Sequence, residues 1–294
     1  MIDPWFIFSI ILIIASAAIT YYFIHRLYTQ RWKKIHFPDK IERIKVKINI
    51  PRRNSSLEGE IYRLKEVDYI ENPAPTIIIC HGYHSSHERM DWVAVPLALQ
   101  GYSVLAYDHF GHGVNRARSN HPRMIAEIIK DFTDILNFVE SRDDLDNYRI
   151  AVIGFSMGGL VALTTGYTDP RVRVIIANCA PHDLSQVYTS FSFYNKFIFR
   201  VFYHLTKNNY DDAEYVQEIS PKYYVYKHRY AGKRIFLTHC KDDSTVRIDQ
   251  FNKNKALLKL KDEDTMVFNT GGHSYYNTET LLMSQVLKWL KQNF

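Results

Sequence analysis

Gly154-Phe155-Ser156-Met157-Gly158 sets one hydroxyl between two glycines, directly after the aliphatic run "RIAVI" and at the head of "MGGLVALTTGY". A serine at a sharp strand-to-helix turn has its oxygen lifted clear of the sheet edge, and flanking glycines remove the side chains that would hold strand and helix apart. Such a serine can attack a carbonyl carbon. The helix N-terminus behind it offers free N–H groups and the positive end of a dipole. The amide of Met157 is thereby placed to bind an oxyanion as it develops.

A serine hydroxyl is a weak nucleophile until a base takes its proton, and the base needs an acid to orient it. With this turn, the expected chain order is Ser, then Asp or Glu, then His. Both partners follow, each just after a strand-like run: "RIFLTHCKDDSTV" offers Asp242 and Asp243, and "MVFNTGGHSYY" offers His273 behind two glycines. Side chains at the carboxyl ends of parallel strands converge on one crevice, so these distant positions can meet.

The elements that would position them read as alternating strands and helices. "KVKINI" (45–50) alternates polar and apolar residues, and "GEIYRL" (59–64) reads as its hairpin partner. "PTIIIC" (75–80) is a continuous aliphatic run, as for a strand buried on both faces. Residues 102–108, 149–154, 172–179, 234–240 and 264–269 read as strands too, with helical spacing over 122–140, 157–168, 246–260 and 278–293. This alternation predicts an α/β fold, a mostly parallel sheet flanked by helices. Residues 182–229 separate two strands by far more than an ordinary loop and hold "YTSFSFYNKFIFRVFYHL", a stretch rich in aromatics. It reads as a packed helical excursion that would also serve as a cap with an oily underside.

At 294 residues, 46% hydrophobic and 23% charged, the chain suits one large globular domain. The net charge of +6 is scattered along the chain and suits an anionic membrane surface at least as well as nucleic acid, for which no binding motif is present. Cys80, Cys179 and Cys240 form no C-x-x-C pair and fit a reducing compartment. "PWFIFSIILIIASAAITYYFI", Pro4 to Ile24, carries no charge, which matches the roughly 20 residues a bilayer-spanning helix needs. Trp5 and Tyr21-Tyr22 sit like interfacial anchors. A cleaved signal peptide is the rival reading, but "MID" has no basic residue and the apolar run continues past Ala15-Ser16-Ala17. Arg26, Arg31, Lys33 and Lys34 follow the run, so the positive-inside rule places the larger part on the cytoplasmic side of the cell membrane. The expected organisation is an anchor and juxtamembrane segment over 1–40, then a catalytic domain over 41–294 with its cap at about 182–229.

From about residue 45 onward the chain resembles the α/β-hydrolase superfamily. It is most similar to single-domain bacterial members related to prolyl-oligopeptidase-like and monoglyceride-lipase-like enzymes. The pieces that carry the likeness are "IIICHGYHSS", "YDHFGHG", "GFSMGG", Ser220-Pro221, "THCKDDSTV" and "GGHS". The resemblance implies Ser156 as nucleophile, Asp243 as acid and His273 as base. Asp243 falls in register with the family pattern G-x-x-D-x-x-V, which here runs from Cys240 to Val246; Asp242 is then a solvated or capping neighbour. His81-Gly82 resembles the first oxyanion loop and implies the amide of Tyr83 as the second donor beside that of Met157. Asp108, in a D-x-x-G-x-G turn, is read as structural.

His81, His84 and His87 form H-x-x-H-x-x-H, but loop spacing of this kind sets no metal geometry and no carboxylate pattern completes a site. "HERMD" is not H-E-x-x-H, and no phosphate-binding loop occurs. The expectation is a cofactor-independent, metal-free serine hydrolase, membrane-tethered through its N-terminal helix, that cleaves carboxylic esters or related acyl compounds, with lipid-like small molecules among the candidate substrates. The alternatives are a prolyl-oligopeptidase-like peptidase, or a non-catalytic membrane-tethered binding protein on the same fold.

Overall fold

The computed structural model describes residues 3–32, 38–114, 121, 123–190, 212–228 and 232–294. The chain divides into two compact units, Met1–Pro38 and Asp39–Phe294.

The first unit is one helix, Pro4–Trp32. Asp3 caps it: its carboxylate accepts the amide of Trp5 at 2.9 Å, and its carbonyl accepts the amide of Phe6. Over Pro4–Tyr22 it is long and apolar enough to cross a membrane, and none of that stretch is buried within the protein. Ser9 turns its hydroxyl back onto the carbonyl of Trp5 at 2.8 Å, which satisfies the polar group inside the helix.

The second unit is built on an eight-stranded sheet in the order β1-β2-β4-β3-β5-β6-β7-β8. The strands are β1 (Ile41–Ile50), β2 (Ser55–Leu64), β3 (Pro75–Cys80), β4 (Ser103–Tyr107), β5 (Asp146–Phe155), β6 (Val172–Asn178), β7 (Arg234–Cys240) and β8 (Thr265–Phe268). β1 and β2 pair antiparallel across a turn at Pro51–Arg53, as the alternating pattern predicts. β2 also pairs antiparallel with β4, and every later pair is parallel. Edge strand β1 alternates buried and exposed residues, whereas Thr76–Cys80 and all of β4 are buried, as expected of interior parallel strands. Helices Met124–Glu140, Met157–Leu163 and Thr165–Thr168 pack together on the sheet, as do Asp91–Leu99 and Glu279–Asn293. The sequence pattern for one helix over 157–168 is interrupted at Thr164, whose backbone leaves the helical region (φ −111°, ψ −98°) and whose hydroxyl donates back to the carbonyl of Leu160 at 2.6 Å.

Within the long excursion at 182–229, the described helices are Leu184–Ser190, Ala213–Ile219 and Pro221–Lys227. Residues 191–211 of the expected cap, with most of its aromatic stretch, lie outside the described residues.

β3 is followed in sequence by its neighbour β4, and the chain then crosses back to place β5 on β3's other side. Where strand order reverses in this way, the loops leaving adjacent strands diverge and open a crevice at the carboxyl edge. The loops leaving β3 and β5 begin at His81 and Ser156.

Candidate active site

Ser156 sits on the turn between β5 and the helix Met157–Leu163 with φ 53° and ψ −110°, a conformation that a side chain adopts only under strain. Its amide donates to the carbonyl of Asn178 at 2.8 Å, and its carbonyl accepts the amide of Leu160 at 3.1 Å. The turn closes because its glycines leave room. A Cβ on Gly154 would overlap the backbone of Gly158, and one on Gly158 would overlap the backbone of Cys80. Gly158→Ala should therefore cost about 3 kcal/mol or more, since backbone rather than a flexible side chain must move. A thermal melt beside wild type checks this, and an unchanged midpoint contradicts it.

The three residues singled out by sequence meet. His273 Nε2 lies 2.8 Å from Ser156 Oγ, and His273 Nδ1 lies 2.8 Å from Asp243 Oδ2. A carboxylate only accepts, so Nδ1 carries the proton and donates to Asp243, which leaves Nε2 to accept the serine hydroxyl. Asp243 is fully buried at its side chain, while His273 keeps a quarter of its own exposed. Burial pushes the Asp243 carboxyl up, but the hydrogen bond and charge of His273 and the amide of Val246 outweigh it and hold it below the usual aspartate value. Asp108 is likewise held low: burial raises it, and its bonds with His87 overcome that. A carboxylate with a depressed folded value contributes stability that is fully present above the unfolded value, near 3.9, and is lost as pH falls through the folded one. Thermal midpoints should accordingly stay level in this respect from neutral pH down to about 4, and fall below it.

The loops that deliver these groups are held by separate devices. The amides of Thr245 and Val246 donate to Asp243 Oδ1 at 2.8 and 2.9 Å. Buried His239 approaches the carbonyl of Val246 with Nε2 at 2.7 Å, tying the same loop to β7. Asp242 accepts the amides of Gly271 and Gly272 at 3.2 and 2.8 Å, so the neighbour of the acid pins the glycine turn that presents His273. Of the two roles the sequence allows Asp242, solvated or capping, the structure has the second, on a turn 29 residues on that nothing local in the sequence points to. Asp242→Ala should lower kcat/KM about tenfold through misplacement of the imidazole; steady-state kinetics that match wild type would contradict this. Beneath the site, Asn178 donates to the carbonyl of Gly154 at 3.1 Å, Thr238 donates to Asn178 at 2.6 Å, and Tyr275 joins Thr238 at 2.6 Å. This buried chain ties the serine turn to the histidine loop.

Gly82 faces the serine: a Cβ placed on it would stand 3.6 Å from Ser156 Cβ and 3.4 Å from the carbonyl of Phe155. Of the expected amide donors, Met157 begins the helix that follows Ser156, and Tyr83 is the residue after Gly82. The amide of His109 donates to His81 Nε2 at 3.0 Å, so His81 Nδ1 is protonated and donates to the carbonyl of Gly82 at 2.7 Å. Burial, with the nearby His109 and His112, keeps His81 well below the usual imidazole value and therefore neutral. Of the spaced histidines, His81 and His84 both pack against the His112 ring, at 5.4 and 6.3 Å between centroids, and His87 turns to a carboxylate. His87 bonds Asp108 at 2.8 Å, and Asp108 also accepts the amides of His87 and Val114, the loop-holding role read from sequence. Among the described residues, the one group of ligand atoms close enough for a metal is Cys179, Asp243 and His273, within 4.8 Å of one another. An ion there would occupy Asp243 and His273, the expected acid and base. Burial holds the Cys179 thiol well above its usual value, so it stays protonated.

Residues 71–278 match the family model described as serine aminopeptidase, S33. The chain belongs to that family. It is an α/β-hydrolase. Among curated proteins, the monoacylglycerol lipase of Mycolicibacterium smegmatis is 31% identical over 99 residues, 34% of this chain and 35% of that protein. The Bacillus subtilis protein YtaP is 30% identical over 136 residues, 38% of this chain and 46% of that protein. The chain thus aligns with between a third and a half of the length of these relatives. Among solved structures, the Pyrococcus furiosus esterase Pf2001 superposes with a TM-score of 0.63 at 22% identity, covering 86% of this chain and 90% of that one. Pyrococcus horikoshii acylaminoacyl peptidase gives 0.68 at 16% identity, covering 90% of this chain and 43% of that one. Those two likenesses carry the fold of this family member.

Proposed function

We propose that this hydrolase cleaves carboxylic esters or related acyl compounds through an acyl-enzyme, with Ser156 as nucleophile, His273 as base and Asp243 as the acid that orients it. The reading rests on one observation above all: the His273 ring bridges Ser156 and Asp243 at 2.8 Å on both sides. His273 takes the hydroxyl proton as Ser156 Oγ attacks the carbonyl carbon. The amides of Tyr83 and Met157 hold the tetrahedral oxyanion. His273 then returns the proton to the leaving group, the acyl-enzyme forms, and water attacks it by the same relay. No step calls for a cofactor. A fluorophosphonate probe should label the folded wild-type protein and not Ser156→Ala; wild-type protein that resists labelling would instead favour a binding protein on a hydrolase fold.

The helix Pro4–Tyr22 supports a membrane-tethered enzyme, with the basic residues that follow it favouring a cytoplasmic catalytic domain. A lipid-like acyl chain suits that location and the aromatic stretch at 188–205. It predicts that kcat/KM for p-nitrophenyl esters rises with chain length, and a flat series from acetate to decanoate would remove the apolar acyl preference.

The family's description favours a second reading, cleavage of peptides from a free amino terminus. That chemistry needs a carboxylate to grip an ammonium group. Among the described residues, no aspartate or glutamate lines the cavity that adjoins Tyr83.

A further inference from the structure

A sulfur that acyl transfer does not use lies against the two residues that would drive it. Ligand atoms of Cys179, Asp243 and His273 stand within 4.8 Å of one another. Each is held by its own contacts. Cys179 follows β6; its amide donates to the carbonyl of Thr238 at 3.0 Å, and its backbone turns left-handed there, with φ 47°. Asp243 Oδ1 is taken by the amides of Thr245 and Val246, so Oδ2 is the oxygen left to face other groups. His273 Nδ1 meets that oxygen at 2.8 Å. The thiol is one of a pair: Cys179 is hydrogen-bonded to the thiol of Cys240 and to the hydroxyl of Tyr275. Cys240 in turn borders the turn that presents His273, because a Cβ on Gly271 would stand 2.9 Å from its Sγ.

Thiolate, imidazole and carboxylate are the three donor types that Zn²⁺ takes, each at about 2.0–2.3 Å. Around a tetrahedral ion such donors stand about 3.3–3.7 Å apart. The present set is 2.8 Å apart across Asp243 and His273 and within 4.8 Å throughout, so shifts of about 1 Å would close it on an ion. His273 keeps a quarter of its side chain exposed, which gives an ion a way in. The sulfur decides the class of ion, because thiolate favours Zn²⁺ and its heavier analogue Cd²⁺ over Mg²⁺ and Ca²⁺, which take oxygen.

We propose that Cys179, Asp243 and His273 form an inhibitory site for a thiophilic divalent cation, Zn²⁺ or Cd²⁺, which binds between the acid and the base and turns the hydrolase off. Binding exchanges protons only. The Cys179 thiol gives its proton to solvent and bonds the ion as thiolate. His273 bonds it through Nδ1, so the ring proton moves from Nδ1 to Nε2. Nε2 faces Ser156 at 2.8 Å and, once protonated, cannot accept the hydroxyl proton. The inference rests on the serine-hydrolase reading for the word "inhibitory" and on the three donors alone for the ion.

Two readouts test it, with the full chain in detergent micelles and thiol-free buffer. In the first, Zn²⁺ and Cd²⁺ should stop hydrolysis of p-nitrophenyl butyrate, a chelator should restore it, and equal Mg²⁺ or Ca²⁺ should leave it unchanged. Cys179→Ala and the closer match Cys179→Ser should raise the half-inhibitory concentration about tenfold or more. Both should keep ester turnover within about threefold of wild type, since the thiol is outside the proton relay. In the second, the Ser156→Ala protein, which needs no turnover, is titrated with Cd²⁺. The ultraviolet absorbance of a cadmium–thiolate bond should rise to one equivalent and should be missing when Cys179 is also replaced. Inhibition or absorbance that survives both Cys179 replacements overturns the proposal, because the ion then sits elsewhere. Cadmium that binds at Cys179 without slowing the ester overturns it too, as does an active wild type that shows neither inhibition nor absorbance. Protein that hydrolyses no ester yet binds Cd²⁺ through Cys179 would sink the ester reading and leave the ion site standing.

Discussion

Replacing Ser156 with alanine should lower kcat on an activated ester by a factor of about 10⁶, to a residue of rate that reflects transition-state binding alone. The size follows from what is removed. The attacking oxygen disappears, so the two-step route through an acyl-enzyme is closed and water must attack directly, while His273 keeps its bond to Asp243. Little structure is at stake, because the Ser156 backbone bonds to Asn178 and Leu160 are independent of its side chain. The release of p-nitrophenolate and a thermal melt of the same sample separate chemistry from folding. A variant that folds as wild type does and retains more than about a tenth of its rate would remove the serine from the mechanism.

Asp243→Asn should lower kcat by about 10⁴ at neutral pH, with much less effect on folding. The argument is one of donors and acceptors. Asp243 Oδ1 accepts two amides, from Thr245 and Val246, so an asparagine must put its carbonyl oxygen there and turn its NH₂ toward His273. An NH₂ cannot accept from Nδ1–H. The imidazole proton then moves to Nε2, which faces Ser156 at 2.8 Å and can no longer accept the hydroxyl. The base is lost without a cavity or a clash. Nitrogen-15 shifts of the His273 ring would report the tautomer directly, and a variant with Nδ1 still protonated and a rate within tenfold of wild type would contradict the account.

The two substitutions probe groups that are legible to different degrees. Ser156 announces itself locally: the aliphatic strand, the two glycines and the helix lie within a dozen residues, and each constrains its neighbours through the chain. His273 was legible because two glycines before it allow the turn, with φ of 134° at Gly271 and 57° at Gly272. Asp243 was not separable from Asp242 by residue type. Family register chose it, and in the structure the choice lies in which carboxylate turns inward. Asp243 is buried against the imidazole, and Asp242 turns out to hold the Gly271–Gly272 turn.

By itself, the sequence determined the alternation of strands and helices, the strained turn at Ser156, the glycine turn before His273, and an N-terminal helix apolar enough for a bilayer. These depend on periodicity, turn chemistry and unbroken hydrophobicity, which act between near neighbours. Tertiary structure alone decided that His81 and His87 of H-x-x-H-x-x-H take separate hydrogen bonds, that Asn178, Thr238 and Tyr275 tie the serine turn to the histidine loop, and that Arg89 shares a cavity with a turn more than twenty residues away. Ser156 and His273 stand 117 residues apart in the chain. Their meeting depends on strand order across the sheet and on the directions in which loops leave the strands, and no stretch of neighbouring residues encodes either.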